Sequence, residues 1–259
     1  MGIETKFKFK SKAASLLVGV SMLAMSSTAS GLETLPEDKS MSGMKIELVG
    51  RDDLWTYKSC DNYNESPLTK SYVDAGKLPP VNERMPKEPW MAKTDQMVDG
   101  IGEYGGTFRH VIGGRPEGFN WLAGQSQGWG GINIQLMESL TRLGPLWQIK
   151  PDEANPLPNL AKDWEWSSDR KSLTMNLIEG ARWSDGDIFD TEDIDFWWND
   201  NVQDANVASR LPKDALGAGT TLEILGPYSF KFNFDEPKGN AVLAQLAYMG
   251  GAPGPSHVM

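Results

Sequence analysis

The side chains best suited to holding a small ligand lie in one glycine-rich stretch, residues 114–131. Tryptophan offers a flat apolar face there, and amide side chains both donate and accept hydrogen bonds. Glycine allows the backbone to come close to a bound molecule. The candidate ligand-binding residues are Glu117, Asn120, Gln125, Gln127 and Trp129. The alternative is a loop whose tryptophans pack into the protein core.

Other patterns that could form a functional site lack the neighbouring structure that such a site needs. Residues 100–105 match G-x-G-x-x-G, but a dinucleotide site needs a strand before the glycines and a helix after them, and here a strand is predicted to follow. The acidic run 185–193 has Asp190 where a calcium loop needs glycine, so it predicts a turn and a helix cap. One cysteine, Cys60, and two histidines exclude an intramolecular disulfide and a multi-histidine zinc site. We expect no catalytic residue, metal or cofactor.

The composition indicates an acidic chain with enough apolar residues to form a core. Of its 259 residues, 39% are hydrophobic and 23% are charged, and the formal net charge is −10. This balance disfavours global disorder and a multi-span membrane protein. The negative charge also disfavours a surface that binds nucleic acid through its phosphates.

The first 29 residues have the layout of a secretory signal peptide. Four lysines between positions 6 and 12 precede an apolar stretch, residues 13–25, and small residues follow, so we predict cleavage after Ala29. The apolar stretch spans about 20 Å at about 1.5 Å per residue, which is short of the ~30 Å bilayer core and disfavours a membrane anchor. The predicted location is the periplasm.

The elements that would position the ligand loop lie on either side of it. Residues 107–112 alternate in polarity and predict a strand, whereas residues 132–140 have apolar side chains near helical spacing. Residues 30–100 form a proline-rich extension that is either a structured segment or a plain linker. Within it, a short helix is predicted over 66–75, with Gly76 as its stop.

The second half of the chain predicts short strands and two helices. A hairpin is predicted from 172–178 into 181–183, because Glu179 and Gly180 form a turn between them. Asp190 caps a helix with an apolar face, and residues 239–248 predict another. The remaining predicted strands are 164–166, 220–225 and 228–234, and the apolar helix face consists of Ile194, Trp197, Trp198 and Val202.

Several short motifs between residues 101 and 259 occur in a familiar order. They are residues 104–109, 137–142, 157–166, 172–177, 179–186 and 192–194. Together they resemble the family 5 extracellular solute-binding proteins, the substrate-binding components of peptide and nickel ABC importers. Residues 76–89 resemble an N-terminal extension seen in a long-chain subgroup. Ile178 and Ser139 depart from the family pattern, which weakens any transfer of ligand identity.

The resemblance implies an α/β fold of the periplasmic binding protein type, class II, with two lobes and an extra small domain. Residues 101–144 would begin lobe I, and residues 145–259 would form a small α+β subdomain and return towards lobe I. The second lobe would lie beyond Met259, so this chain would cover only the N-terminal part.

The resemblance also implies binding without catalysis. The ligand would be a peptide or a similar small solute, with oligosaccharides and metal chelates included, and it would pass to the transmembrane subunits of an ABC permease. In the family, the loop after the first strand borders the ligand cleft, which points to Gln125, Gln127 and Trp129.

Two other functions remain open at this point. Ten tryptophans and many acidic residues fit a secreted glycan-active hydrolase, whose two carboxylates would lie about 5–9.5 Å apart. A non-functional truncated binding protein would leave strand edges exposed. Product formation from a bound glycan would favour the hydrolase, and a non-cooperative unfolding transition would favour the truncated protein.

Overall fold

The computed structural model describes residues 50, 53, 55–57, 63–93, 101–107, 109, 136–143, 150, 155–207, 216–247 and 251–259, all within one compact unit of residues 46–259. The strands are β1 (Trp55–Tyr57), β2 (Trp90–Ala92), β3 (Thr141–Arg142), β4 (Leu157–Pro158), β5 (Ala161–Trp166), β6 (Ser172–Leu177), β7 (Thr221–Gly226) and β8 (Ser229–Asn233). The helices are α1 (Pro67–Asp74), α2 (Val81–Arg84), α3 (Thr191–Phe196), which continues as a π-helix (Trp197–Val202), and α4 (Ala241–Leu246). The predicted signal peptide lies outside the described residues.

An antiparallel sheet in the order β5-β6-β8-β7 forms the centre of the described structure. Its inner face follows from the alternation in the sequence, because every second side chain of a strand points to the same side. Leu173 and Met175 of β6 are fully buried, as are Phe230 and Phe232 of β8. The predicted strands at 164–166, 172–178, 220–225 and 228–234 are therefore confirmed with small changes of boundary.

The predicted hairpin between 172–178 and 181–183 is wrong. Gly180 does turn the chain, with φ +81°, but the following segment makes only the single bridge Arg182–Ile188. Instead, β6 pairs with β5 on one side and β8 on the other. The reason is burial, because β8 aligns two fully buried phenylalanines with β6 and the 181–183 segment offers no comparable apolar set.

The helix predicted to begin at Asp190 forms as expected. The Asp190 carboxylate accepts the backbone N–H of Glu192 at 2.8 Å and takes part in a capping box with Asp193. All four residues of the predicted apolar face are buried, namely Ile194, Trp197, Trp198 and Val202. From Trp197 the helix widens to the π form, which the apolar spacing did not indicate.

The helix predicted over 239–248 is confirmed as α4, residues 241–246, which buries Val242, Leu243 and Leu246 against the sheet. The helix predicted over 132–140 lies mostly outside the described residues. Its final part is wrong, because Leu136 is helical while residues 137–139 have no regular structure.

The described part of the proline-rich extension, residues 63–93, packs on the sheet body rather than forming a plain linker. Ser66 caps α1 and Gly76 stops it with φ +66°, as predicted. Pro86 and Pro89 are buried, and a methyl group at Gly180 would lie 3.6 Å from the Pro86 Cα atom.

Two charged contacts lie beside these buried prolines. The Arg142 guanidinium lies 5.2 Å from the centre of the Trp90 ring, and the Lys162 ammonium lies 3.7 Å from the Glu88 carboxylate. Residues 63–93 therefore contact the body through apolar, cation–π and ionic interactions together.

Candidate functional site

The five predicted ligand-binding residues, Glu117, Asn120, Gln125, Gln127 and Trp129, lie outside the described residues. The same holds for Cys60, and for most of the predicted strand 107–112. What the structure describes is the chain on either side of the loop. Residues 101–107 before it are exposed, with Gly105 at φ +129° and Gly106 at φ +73°.

After the loop, the chain is fixed firmly to the core. The backbone N–H of Leu140 donates to the carbonyl of Gly251 at 2.9 Å, and the Leu140 carbonyl accepts from Ala161 at 2.8 Å. The hydroxyl of the fully buried Thr141 donates to the Leu243 carbonyl at 2.6 Å. Hydrogen bonds from three separate parts of the chain thus fix Leu140 and Thr141, which follow the predicted loop by nine and ten residues.

A second set of functional groups joins two segments that are far apart in the chain. We call residues 183–193 the carboxylate turn and residues 251–259 the closing segment. Asp193, only 2% exposed, accepts the indole N–H of Trp183 at 2.9 Å and the backbone N–H of Ser256 at 2.9 Å. A buried carboxylate with these partners fixes the closing segment at the N-terminal end of α3.

The side chain of His257 lies between two carboxylates of this turn. Its Nε2 atom is 2.7 Å from Asp185 Oδ2, and its Nδ1 atom is 3.2 Å from Asp187 Oδ2. The hydrogen bond with Asp185, together with the negative charges of Asp187 and Asp193, raises the pKa of His257. The hydrogen bond from His257 in turn lowers the pKa of Asp185.

Sequence reasoning missed this contact, because the two histidines were used only to exclude a multi-histidine zinc site. The sequence did contain one indication of a site here, because Asp185 and Asp187 flank Gly186 and so place two carboxylates on one tight turn. The histidine that meets them is 72 residues further along the chain, and no local pattern connects them.

An open cleft between α3 and the edge strand β7 collects further acidic groups. It is lined by Thr191, Glu192, Asp195, Phe196, Asp200 and Ile224. Across the part of the chain that the structure describes, no three or more His, Cys, Asp or Glu side chains are arranged to hold a metal ion. Of the helices described, none is both long and apolar enough to cross a membrane.

One buried amide lies on the face of the π-helix that packs against the core. Asn201 is 5% exposed, and its Nδ2 atom has no hydrogen-bond partner among the described residues. An unpaired buried amide lowers the stability of the folded state.

Comparison with known proteins places this geometry in a family. Residues 155–257 match the family model described as bacterial extracellular solute-binding proteins, family 5 middle. This range contains the central sheet, α3, α4, the carboxylate turn and most of the closing segment.

Over most of its length the chain is similar to proteins that bind sugars. It is 48% identical over 250 residues to the periplasmic alpha-galactoside-binding protein of Rhizobium meliloti (strain 1021), covering 95% of this chain and 36% of the relative. It is also 48% identical to the periplasmic binding protein MelB of Agrobacterium fabrum C58, whose structure was solved in complex with stachyose. That structure matches with a TM-score of 0.74 over 83% of this chain and 33% of MelB.

A peptide-binding relative shows the same fold at lower identity. The oligopeptide-binding protein OppA is 32% identical, with a TM-score of 0.60 over 78% of this chain and 28% of that protein. The chain thus spans about a third of the length of the relatives it matches. The expected α/β fold of the periplasmic binding proteins is confirmed by these solved structures, and residues 155–257 match the family 5 bacterial extracellular solute-binding proteins.

Proposed function

We propose that this protein is the periplasmic solute-binding component of an ABC importer and that its solute is an α-galactoside oligosaccharide. One observation carries the proposal, namely 48% identity across 95% of the chain to an alpha-galactoside-binding protein. The match to MelB, solved with stachyose, points to the same class of ligand. Because the chain spans about a third of these relatives, the proposal concerns the whole protein of which these residues are part.

The chemistry of the predicted ligand loop suits a sugar. A pyranose ring has an apolar face that stacks on an indole, which is the role we propose for Trp129. Its hydroxyls donate and accept hydrogen bonds, which Gln125, Gln127 and Asn120 satisfy through both ends of their amides, while Glu117 accepts. Such sites combine apolar area with a few directed polar groups.

The same proposal covers location and partners. Export would use residues 1–29 as a cleavable signal peptide, and the protein would deliver its solute to the transmembrane subunits of the permease. Mass spectrometry of the protein isolated from the periplasm tests the export step. A mature chain that begins at Ser30 is expected, and retention of residues 1–29 would contradict cleavage.

Calorimetric titration of the full-length protein tests the ligand class. Stachyose and raffinose should bind, whereas a dipeptide and a tripeptide should give no heat at the same concentrations. Tight peptide binding without sugar binding would overturn the α-galactoside proposal in favour of peptide import, which the 32% identity to OppA supports as the second candidate.

Loop variants locate the site within the chain. Trp129→Ala should weaken stachyose binding by about tenfold or more, because a stacking residue at the centre of a site contributes most of its energy. Gln125→Ala and Gln127→Ala should each cost about two- to tenfold through one lost hydrogen bond. Trp90→Ala removes a tryptophan from the extension, so its affinity for stachyose should match that of the unchanged protein.

The same samples distinguish a binding protein from a hydrolase. We propose that the protein has no turnover, so stachyose recovered from the complex should be intact after prolonged incubation. Release of galactose, lost on replacing a single carboxylate while binding persists, would identify the enzyme instead.

A further inference from the structure

The positions of the carboxylates around His257 favour the protonated form of its ring. Both ring nitrogens lie within hydrogen-bond distance of carboxylate oxygens, at 2.7 Å from Asp185 and 3.2 Å from Asp187. An ionised carboxylate only accepts hydrogen bonds, so Nε2 donates to Asp185, while Nδ1 approaches Asp187 as a charge contact at 3.2 Å. Only the imidazolium carries a proton on both nitrogens, whereas the neutral ring would direct a lone pair at one carboxylate.

The surrounding charges act in the same direction. Asp193, at the start of α3, adds a third negative charge near the ring. Arg182 lies immediately before the carboxylate turn, and its guanidinium donates to the carbonyl of Gly186 at 2.8 Å. The net field at His257 is therefore negative, and the pKa of the imidazole is raised above its ordinary value of 6.5.

Different parts of the closing segment are held in different ways. Gly251, Ala252, Pro253 and Gly254 are buried, and the Gly251 carbonyl accepts from Leu140, so this half does not depend on any titrating group. The second half is more exposed, and besides the Ser256–Asp193 hydrogen bond it is held by the contacts of His257. A change of charge at His257 thus acts on residues 255–259 and leaves residues 251–254 in place.

We propose that His257 makes the docking of residues 255–259 on the carboxylate turn dependent on pH, so that the protonated ring holds these residues and the neutral ring releases them. The contribution of His257 to docking is complete below its ordinary pKa of 6.5 and is lost as the pH rises through its raised pKa. Each unit by which docking raises that pKa corresponds to a tenfold weaker docking equilibrium after deprotonation.

The test uses the full-length protein labelled with ¹³C-histidine and ¹⁵N. The His257 resonance is assigned by its loss in His257→Gln, and its pKa is read from an NMR titration in buffer containing EDTA. The amide protection factor of Ser256 is followed over the same range, as a ratio to the intrinsic exchange rate. We expect His257 to titrate above 6.5. As the pH rises through that pKa, the protection factor of Ser256 should fall about tenfold for each unit by which the pKa is raised.

Variants separate charge from packing. His257→Arg keeps a permanent cation with several donors, so the Ser256 protection factor should be independent of pH. Asp185→Asn should return the His257 pKa towards 6.5 and flatten the pH dependence, whereas Glu223→Gln, which breaks a distant ion pair with Lys231, should leave both unchanged. A His257 pKa at or below 6.5, or constant Ser256 protection through its titration, would overturn the proposal.

Discussion

Two peripheral segments dock on the same sheet body, and different kinds of interaction hold them there. The extension, residues 63–93, contacts the body through buried Pro86 and Pro89, with Trp90 against the Arg142 guanidinium. The closing segment, residues 251–259, buries small residues in its first half and uses His257 between carboxylates in its second.

The difference shows what each kind of contact controls. Apolar burial and cation–π contacts change little between pH 5 and 9, because no group in them titrates there. A histidine between carboxylates changes its charge within that range. We therefore expect three perturbations to affect the two segments differently. In order of decreasing effect they are an added methyl group, the loss of an aromatic contact and a change of pH.

The largest loss of stability is expected at Gly251, where the closing segment packs most closely against the backbone of another segment. A methyl group at Gly251 would lie 2.2 Å from the carbonyl oxygen of Leu246, which is backbone and cannot rotate away. Gly251→Ala should lower the free energy of unfolding by about 1–3 kcal/mol through overpacking. Urea unfolding of the full-length protein measures the loss, and exchange at Leu140, whose N–H donates to Gly251, should rise with it.

Gly219→Ala is the matched control. A methyl group there would overlap the carboxylate of Asp235, but that group belongs to a side chain that can rotate aside. The change in unfolding free energy should stay within about 0.5 kcal/mol. Equal losses at both glycines would show that backbone contact at the closing segment has no special weight.

An intermediate effect is expected at the aromatic contact of the extension. Trp90→Ala removes the ring that faces Arg142 at 5.2 Å and should cost about 1 kcal/mol of unfolding free energy. Trp90→Phe keeps an aromatic face and should lose less. Faster amide exchange in residues 63–93, with Ser256 unaffected, is the expected pattern. Equal loosening of both segments would mean that they are not independent.

The comparison also explains which parts of the fold were predictable. The alternation of β5, β6 and β8 and the cap at Asp190 are local patterns, and the structure confirms them. The pairing of β6 with β8 instead of 181–183 was missed, because partner choice depends on which distant strand buries more apolar area. The docking of both segments was likewise invisible, since Trp90 meets Arg142 and His257 meets Asp185 only after folding.

The candidate ligand site depends on the chemistry of its side chains and on the place of this loop in the family that the sequence resembles. Residues such as Trp129 and Gln127 were selected by the chemistry of their side chains, and a side chain's chemistry does not say whether it faces a cleft or the core. What the structure adds is the anchor that follows the loop, where Thr141 is fixed to Leu243. The site and its residues stay a prediction, because residues 114–131 lie outside the part of the chain that the structure describes.

The smallest effect is expected on acidification, and it distinguishes the extension from the closing segment most clearly. The Glu65 carboxylate accepts from Thr69, from the Arg84 guanidinium at 2.6 Å and from the Val81 N–H at 3.0 Å. The hydrogen bonds from Thr69 and Arg84 lower the pKa of Glu65 below its ordinary value of 4.5. Its contribution to the extension is therefore present above pH 4.5 and is lost as the pH falls through the lowered pKa.

The two segments should thus respond to pH with opposite sign. On acidification below 4.5 the Val81 amide should lose protection through Glu65, whereas the contact of His257 is lost only on the alkaline side. Glu65→Gln should remove the acid response at Val81, because the neutral amide has no charge to lose, and leave Ser256 unchanged. If Val81 kept its protection as Glu65 became protonated, the carboxylate would not be what holds α1 and α2 together within the extension.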